Sequence, residues 1–397
     1  MLETLFWILF FIVAYTFAGY TILLRFLVFI KRIFKGKPAI NELDENNLPD
    51  VCLFVTAFNE ADFVAQKVAN TFQLNYPKNK IQYLWLTDGS DDGTPDLLGK
   101  YPPLQVEHQP GRKGKIHAMN RGMQFVKAPI VIFSDSNTLL GENSVREIVR
   151  QFQNEKVGCV AGEKRILEQV EDTAAGSGEG LYWKIESITK QLDAELSSAV
   201  GAAGELFAVR TALFDPVDAD AILDDFMISL RIAGKGYRIA YAPEAYAAES
   251  ASASVKEELK RKTRISAGGI QTLFRMPEMF NPMHYGWLSF QYFSHKVLRW
   301  TLAPFALFLI FFINFLILLK QANWLPNNFY ALFFYLQSFM YTIAVIGWLF
   351  ENRQLRLKLF FAPYYFTAMN YASIKGIFRY LRGQQSVVWE KSKRAKV

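Results

Sequence analysis

The chain has 397 residues and a formal net charge of +7 at pH 7, with 51% hydrophobic, 15% aromatic and 20% charged residues. This composition excludes disorder over most of the length, and the length suits about two to three domains. Only two cysteines occur, which excludes a disulfide framework and a multi-cysteine metal site. Residues 351–397 carry ten Lys or Arg against two Asp or Glu. Such a basic tail suits an anionic membrane surface, and no basic stripe indicates nucleic-acid binding.

The amino-terminal segment is predicted to be a transmembrane helix within residues 1–35. Residues 4–30 are almost entirely apolar, with Arg25 as the only charge, and about 20 such residues cross the hydrocarbon core. The Met-Leu-Glu start and the length of the run are unlike a cleaved signal peptide. Four Lys or Arg follow between residues 31 and 37. The positive-inside rule therefore predicts that the next segment is cytoplasmic.

Residues 48–254 alternate short β-rich runs with amphipathic helical stretches, which predicts an α/β domain with a mostly parallel, Rossmann-like sheet. The predicted strands are 51–57, 81–87, 104–108, 130–134 and 157–160. The predicted helices lie near 60–73, 93–100, 114–127 and 143–153. Small residues at 172–180 predict a mobile loop, and those at 247–254 predict a hinge.

The last third of the chain is predicted to return to the membrane. Interfacial helices are expected over 255–298 and a carboxyl-terminal transmembrane region over 299–380. Two apolar runs in that region, 300–319 and 329–350, are long enough to be spans. No carboxylate or ammonium group lies near the middle of a span, so an ion pathway is not indicated.

A third apolar run, 357–374, is interrupted by Pro363 and Asn370 and leaves two alternatives open. It either crosses the membrane or lies re-entrant or at the interface. The second alternative keeps the basic tail, 381–397, in the cytoplasm, as the charge rule favours.

The first group of polar residues follows the first two predicted strands. Asn59 and Glu60 come after the first strand, and Asp88 and Gly89 lie at the end of the second. Because ligands bind at the carboxyl ends of such strands, we expect the two loops to meet. Asp88 can accept hydrogen bonds from a base or ribose, and Gly89 lets a ligand approach the backbone. The competing interpretation is an acidic turn with a helix N-cap.

A Gly/Lys-rich loop at 111–115 opens the next predicted helix. Helix starts attract phosphate through free N–H groups and the helix dipole, and Lys115 adds a positive charge. The alternative is a solvated basic loop.

The fourth predicted strand ends in a polar segment that contains Asp135 and Asn137. Mg²⁺ and Mn²⁺ prefer oxygen ligands, and Mg²⁺ is often held by one or two carboxylates together with substrate phosphates. Asp135 suits that role, whereas the alternative is a cap for the following helix.

In this order, the motifs resemble those of the membrane-bound family 2 glycosyltransferases, the group that contains cellulose, hyaluronan and poly-N-acetylglucosamine synthases. The resemblance extends from the leading helix to residues 382–391. It implies a GT-A fold flanked by transmembrane helices. It also implies that Asn59, Glu60 and Asp88 hold a nucleotide, that Lys115 lies near the diphosphate, and that Asp135 binds Mg²⁺ or Mn²⁺. The family usually has a second Asp where this chain has Asn137, whose amide oxygen can still be a ligand.

Two further segments resemble family motifs on the acceptor side. Gly204 and Glu205 lie in a segment similar to the acceptor loop, and Asp224 and Asp225 resemble the family's Glu-Asp pair. Asp225 matches the catalytic base, which takes the proton of the attacking hydroxyl. The like charge of Asp224 should raise the pKa of its neighbour. The alternative is that both acids only favour the dipole of a helix at 224–234.

Residues 261–265 lie where polymerising members carry Gln-x-x-Arg-Trp. Arg264 matches the motif Arg, whose planar guanidinium suits a diphosphate. Arg261 replaces the Gln, and Ile265 replaces the Trp that lines the acceptor end, so processive polymerisation is left open. A basic interfacial helix on anionic lipid is the plain interpretation of this segment.

The sequence therefore predicts an inverting glycosyltransferase of the cytoplasmic membrane with a cytoplasmic catalytic domain. The expected donor is a nucleotide sugar, UDP-linked as first choice, and the expected acceptor is a growing polysaccharide. Single transfer to a lipid-linked glycan is one alternative, and a non-catalytic membrane component that binds nucleotide sugars is another. Membrane lipids are expected partners, partner subunits are allowed for, and nucleic acid is not expected.

Overall fold

The computed structural model describes residues 1–36, 42–167, 174–250, 252–352 and 358–385. Within these residues, eight strands form one mixed sheet in the order β3-β2-β1-β4-β7-β6-β8-β5. The strands are β1 Val51–Ala57, β2 Ile81–Asp88, β3 Leu104–Gln109, β4 Ile130–Asp135, β5 Leu139–Leu140, β6 Val157–Ile166, β7 Leu206–Arg210 and β8 Arg238–Glu249. Four of the seven strand pairings are parallel.

The helices precede, cover and follow this sheet. They are α1 Leu2–Ala14, α2 Tyr20–Lys35, α3 Ala61–Phe72, α4 Thr94–Leu98, α5 Lys115–Gly122, α6 Ser144–Phe152, α7 Ala174–Leu196, α8 Asp224–Gly234, α9 Val255–Arg275, α10 Pro282–Tyr285, α11 Trp287–Tyr292, α12 Leu298–Trp300, α13 Leu302–Gln321, α14 Phe329–Asn352 and α15 Lys358–Leu381. Short π-helical segments, Tyr15–Gly19 and Phe293–Val297, join α1 to α2 and α11 to α12.

The sheet is covered on both faces. Strand β1 (VCLFVTA) is apolar at successive positions, which suits a strand with buried side chains on either side. One face packs against α5, α8 and α9, and the other packs against α3, α4 and α6. The loops at the carboxyl ends of β1, β2 and β4 are thereby held between two layers of helices.

The strands and helices predicted between residues 51 and 160 are present, with β6 continuing to Ile166. Strands β5, β7 and β8 were not predicted, and β5 has only two residues. β7 has only five residues, and β8 is rich in Ala and contains Pro243, which lowers its β-propensity. β8 accommodates the irregularity through a register shift against β6 between Gly162 and Glu163.

The loop predicted at 172–180 is wrong from Ala174 onward, where α7 begins; residues 172 and 173 lie outside the described part. Glycines in the first turns lower the helix propensity, but α7 is held by packing against α2 and α15. The hinge predicted at 247–254 is shorter than expected, because β8 continues to Glu249 and α9 begins at Val255.

Among the described residues, three helices are long and apolar enough to cross a membrane: Leu2–Lys35, Leu302–Gln321 and Phe329–Phe350. They coincide with the three predicted spans. From Lys358 onward the interrupted run lies in α15, a single helix that continues through Pro363 and Asn370, while residue 357 lies outside the described residues.

Helix α15 packs along α9 so closely that a Cβ on Gly376 would lie 2.5 Å from the Thr263 carbonyl oxygen. It therefore joins the sheet domain to the membrane helices. From residue 386 onward, the predicted basic tail lies outside the described residues.

Candidate active site

The carboxyl ends of β1, β2 and β4 carry the polar residues that were predicted to form a site. The register of these parallel strands pairs Ala57 with Thr87 and Thr56 with Asp135. Asp88 and Asp135 are thus the last residues of β2 and β4 at the same edge. Because β1 lies between β2 and β4, this edge is also a topological switch point, where ligands commonly bind.

A cavity of about 270 Å³ opens at this edge. Ten of the eleven predicted site residues line it, although they are spread between residues 60 and 264 of the chain. They are Glu60, Asp88, Lys115, Asp135, Asn137, Gly204, Glu205, Asp224, Asp225 and Arg264. Their individual roles stay predictions at this point.

Asn59 is the predicted residue that is not part of the lining. Its φ of 52° is one that Asn tolerates better than most residues. The side-chain Nδ2 of Asn59 donates to Asp91 Oδ1 at 2.8 Å, and the side-chain Oδ1 of Asn59 accepts from the Asp91 backbone N–H at 3.0 Å. Asn59 therefore joins the loops that follow β1 and β2, while the next residue, Glu60, faces the cavity.

Asp88 uses its carboxylate to hold the Gly/Lys-rich loop. Its oxygens accept the backbone N–H of Lys113 at 3.1 and 3.0 Å and that of Gly114 at 2.6 Å. Gly89 has a φ of +71°, and a Cβ there would lie 2.6 Å from the Arg112 backbone nitrogen. Glycine is therefore required for the two loops to approach this closely.

Lys115 begins α5 and joins three parts of the site. Its Nζ lies 2.8 Å from Asp135 Oδ1 and 3.3 Å from Asp224 Oδ2. Burial alone would lower the pKa of Lys115, but the carboxylates of Asp135 and Asp224 outweigh it and raise the pKa above its ordinary value. The ammonium group therefore stays charged between the end of β4 and the start of α8.

Asp225 lies in the first turn of α8, next to Asp224. Burial, and then the like charge of Asp224, raise the pKa of Asp225 to about 7. A Cβ on Gly204 would lie 3.4 Å from Asp225 Oδ2 and 3.4 Å from Lys115 Nζ. Gly204 thus leaves an open approach to a carboxylate that can both hold and release a proton near neutral pH.

Gly201 packs closely against the ring of Phe226, the residue that follows Asp225. Its φ is +83°, and a Cβ there would lie 2.2 Å from the Phe226 ring. We expect Gly201→Ala to lower the thermal unfolding midpoint, because backbone strain and the displaced ring together cost about 2–4 kcal/mol. Gly236→Ala is the matched control, since Gly236 has a φ of +89° but nothing within 4 Å of its Cβ position. Equal midpoints for the two variants would contradict this packing.

Glu205 belongs to a buried network of ion pairs. Lys164 Nζ is 3.0 Å from Glu205 and also pairs with Glu249. Arg261 pairs with Glu258 at 2.8 Å and approaches Glu205 at 3.8 Å. Burial would raise the pKa of Glu205, but Lys164 and Arg261 outweigh it and hold the pKa well below its usual range. Arg261, which stands at the motif's Gln position, therefore belongs to this network.

Arg264 lies about one turn further along α9 and faces the cavity. Its Nη1 is 3.5 Å from the Ile222 carbonyl oxygen. Burial lowers the pKa of its guanidinium, and Asp224 and Asp225 act against that effect. Arg264 thus places a positive charge near the two acids of α8.

Asp135 and Asn137 are the residues that can hold a divalent cation here. The described residues contain no group of three or more His, Cys, Asp or Glu side chains that could hold a metal ion. One carboxylate and an amide oxygen still fit Mg²⁺ or Mn²⁺, because phosphate oxygens and water can fill the other positions. The Asp135 side chain is 31% exposed, so an ion in the cavity can reach it.

Lys67 holds the loop that follows β4 through hydrogen bonds, a role that was not predicted from the sequence. The fully buried Nζ donates to Ser134 Oγ at 2.8 Å and to the Thr138 carbonyl oxygen at 2.7 Å. A lone Lys on an amphipathic helix gives no sign of such a contact in the sequence.

Further cavity residues were missed on α7 and just before α13. Tyr182, Trp183 and Glu186 come from α7, and Lys296 and Arg299 precede α13. Their positions depend on how α7 packs against α2 and α15, which no local motif records. A Tyr-Trp pair after a Gly-rich stretch is the signal that the sequence offered.

Comparison with known proteins identifies the family. The family model described as glycosyltransferase like family 2 matches residues 49–268, more than half of the chain. The chain belongs to glycosyltransferase-like family 2. This match confirms the resemblance that was predicted from the motifs and the presence of a glycosyltransferase domain.

Two curated relatives are similar to this family 2 chain. The poly-beta-1,6-N-acetyl-D-glucosamine synthase of Staphylococcus aureus (strain MSSA476) is 27% identical over 249 residues, which are 60% of this chain and 58% of that protein. The protein named "Probable glycosyltransferase YdaM" of Bacillus subtilis (strain 168) is 23% identical over 325 residues, which are 78% of this chain and 72% of that protein. The match thus spans 58%, less than two thirds, of the synthase's length.

A solved structure is similar over almost the whole chain. The mannosyltransferase PcManGT from Pyrobaculum calidifontis, in complex with GDP-Man and Mn²⁺, has a TM-score of 0.68 at 21% identity and covers 97% of this chain and 100% of its own. At this identity the likeness concerns the fold. It confirms the predicted GT-A fold of the family 2 domain.

Proposed function

We propose that the chain is an inverting glycosyltransferase that moves a sugar from a nucleotide sugar to a glycan acceptor at the cytoplasmic face of the cytoplasmic membrane. The observation that carries the proposal is the position of Asp225. Its carboxyl group, with a pKa of about 7, lines the same cavity as Asp88, Lys115 and Asp135. Family membership supports the reaction class.

The end of the cavity near β1 and β2 suits the nucleotide. Glu60 and Asp88 offer carboxylates to a base or a ribose, and the Arg112 guanidinium lies 3.7 Å above the Phe58 ring. Lys115 supplies positive charge for the diphosphate. A UDP-linked donor is the first choice, while PcManGT was solved with GDP-Man, so a donor screen has to include both bases.

Transfer with inversion needs a base on the acceptor side of the sugar. The acceptor hydroxyl gives its proton to Asp225 while its oxygen bonds to the anomeric carbon and the bond from that carbon to the diphosphate breaks. Lys115 and Arg264 stabilise the negative charge that the diphosphate gains. Burial, and then the like charge of Asp224, raise the pKa of Asp225 to about 7, which suits it to accepting a proton.

Asp135 and Asn137 are proposed to hold Mg²⁺ or Mn²⁺ together with the diphosphate. When bound, such an ion neutralises part of the phosphate charge. The Mn²⁺ in the PcManGT complex supports metal use in this fold.

Elongation of a polysaccharide is the first choice of reaction, and the similarity to the poly-beta-1,6-N-acetyl-D-glucosamine synthase supports it. Single transfer to a lipid-linked acceptor is the alternative, and Ile265 in place of the motif's Trp supports it. The candidate spans support a membrane location, and the basic residues after the first span support a cytoplasmic catalytic domain.

The rate of transfer is expected to rise as the pH increases from 6 to 8. The pKa of Asp225 is raised to about 7, so the carboxyl group is protonated below that pH and cannot accept the hydroxyl proton. Initial rates at saturating donor and metal measure this rise of the transfer rate with pH. Nucleotide affinity measured over the same pH range is the control. A rate that is flat or falls over this range would contradict the assignment of the base.

A screen of nucleotide sugars with purified full-length protein tests the proposed function. We expect metal-dependent transfer from one donor, with product sizes resolved by mass spectrometry. A ladder of sizes supports elongation, and a single added sugar supports the alternative acceptor. Donor binding without any turnover would favour a non-catalytic component instead.

A further inference from the structure

The cavity continues past Asp225 toward the membrane helices. We call this part the membrane end and define it by Tyr182 and Glu186 of α7, Lys262 of α9, Lys296 just before α12, and Arg299 of α12. Helix α13, a candidate span, begins at Leu302. The membrane end therefore lies beside the start of a membrane helix, and the proposed transfer step does not use its residues.

The membrane end has more positive than negative charge. Lys296 Nζ lies 2.6 Å from Glu186 Oε1, and Arg299 Nη1 lies 2.7 Å from Glu186 Oε2. Lys262 Nζ adds a third cation 3.7 Å from the centre of the Tyr182 ring. Burial alone would raise the pKa of Glu186, but Lys296, His295 and Arg299 outweigh it, so the carboxylate is ionised. The membrane end thus contains three cations and one carboxylate, and two of those cations, Lys296 and Arg299, pair with that carboxylate.

Two groups indicate that a further anion fits here. The buried Nε of Arg299 has no hydrogen-bond partner in the part of the chain that the structure describes. Burial and Glu186 would raise the pKa of Tyr182, but Lys262, Arg299 and Lys296 outweigh them and lower it. The Tyr182 hydroxyl therefore lies in a positive potential. Arg, Lys and Tyr groups are donors suited to phosphate oxygens.

We propose that the membrane end binds the phosphate linkage of a lipid-linked saccharide acceptor. This inference rests on the proposed function and selects the lipid-linked acceptor, given there as the alternative, as the acceptor class of the same site. The phosphate does not react: it anchors the acceptor beside the membrane helix while a sugar hydroxyl reaches Asp225. Trp183, the neighbour of Tyr182 on α7, also lines the cavity.

The test measures binding of farnesyl phosphate, farnesol and inorganic phosphate to the detergent-solubilised full chain by calorimetry. The nucleoside diphosphate selected by the donor screen is present at saturation with Mn²⁺, so that the donor end is occupied. We expect farnesyl phosphate to bind at least about tenfold more tightly than farnesol, as one charge-assisted contact is worth about that factor. Inorganic phosphate should bind much more weakly than farnesyl phosphate.

Lys262→Gln should weaken farnesyl phosphate binding about tenfold and leave farnesol unchanged, and Lys262→Arg should retain most of the affinity. Lys256→Gln is the matched control, because Lys256 is an exposed residue on the same helix and does not line the cavity. Both Lys262 variants are expected to fold normally, since this side chain is only partly buried.

Three results would overturn the inference. They are equal affinity for farnesol and farnesyl phosphate, no binding of farnesyl phosphate while the nucleoside diphosphate is saturating, and inorganic phosphate binding as tightly as the lipid phosphate. Failure of the proposed function is distinguishable, because it would appear in the same preparation as absent nucleotide binding or absent transfer.

Discussion

Asp225→Asn is expected to reduce the rate of sugar transfer by about 100- to 10,000-fold, the range that removal of a general base commonly produces. The amide has the same shape as the carboxyl group but cannot take the proton of the acceptor hydroxyl. Nucleotide-sugar affinity is expected to change little, because the proposed donor contacts at Asp88 and Lys115 are kept. Initial rates and calorimetric binding of the donor measure the two quantities separately.

The variant should also fold normally, which keeps the test decisive. The pKa of Asp225 is higher in the folded protein than in an unfolded chain, so its stabilising contribution is lost as the pH rises through about 7. At pH 8 the Asn variant should therefore unfold at or above the wild-type midpoint. Asp96→Asn, on the exposed side of α4, is the matched control. Transfer at the wild-type rate by Asp225→Asn would refute the assigned base.

Asp135→Asn is expected to lower the metal-dependent rate by at least about 100-fold, since a bound cation contributes several kcal/mol of charge stabilisation. Asp135 is the carboxylate at the proposed cation position, and Lys115 keeps a second partner in Asp224 at 3.3 Å. Electron paramagnetic resonance of Mn²⁺ with nucleoside diphosphate present gives a readout that does not depend on turnover. Unchanged Mn²⁺ affinity would contradict the assignment.

Asn137→Asp is expected to change Mn²⁺ affinity in the opposite direction at the same proposed cation site. It adds the second carboxylate that the family usually has, and the number of charged ligands tunes cation affinity. We expect tighter Mn²⁺ binding in the same measurement. Weaker binding would indicate that Asn137 does not face the ion.

The sequence predicted the parts of the molecule that local signals determine. The strand runs that end at Ala57, Asp88 and Asp135 are continuous apolar segments followed by polar turns. Parallel pairing then brings those turns to one edge, so residues distant in the chain could be assigned to one site without coordinates. The start of α8 at Asp224 followed from the acidic pair that opens it.

The remaining parts depend on tertiary contacts that no local pattern records. Helix α7 has a Gly-rich start, and it is held by distant partners such as Tyr20, whose hydroxyl donates to Asp193 at 2.5 Å. Lys164 and Glu205 pair across 41 positions of sequence, and nothing in the acceptor-loop motif that contains Glu205 indicates Lys164 as its partner. The membrane end of the cavity was therefore not predictable, because its residues come from α7, α9, the π-helical segment Phe293–Val297 and α12.

The ion network around Glu205 has a practical consequence for producing the protein. It takes Lys164 and Glu249 from the sheet domain, Glu258 and Arg261 from α9, and a hydroxyl from Tyr365 of α15, which donates to Glu258 at 3.3 Å. A truncated fragment that stops before α9 would leave Lys164 with two carboxylates and no Arg261 to balance them. Water-soluble fragments made for crystallisation or screening should therefore be poorly folded, and detergent or nanodisc preparations of the intact polypeptide are the appropriate material.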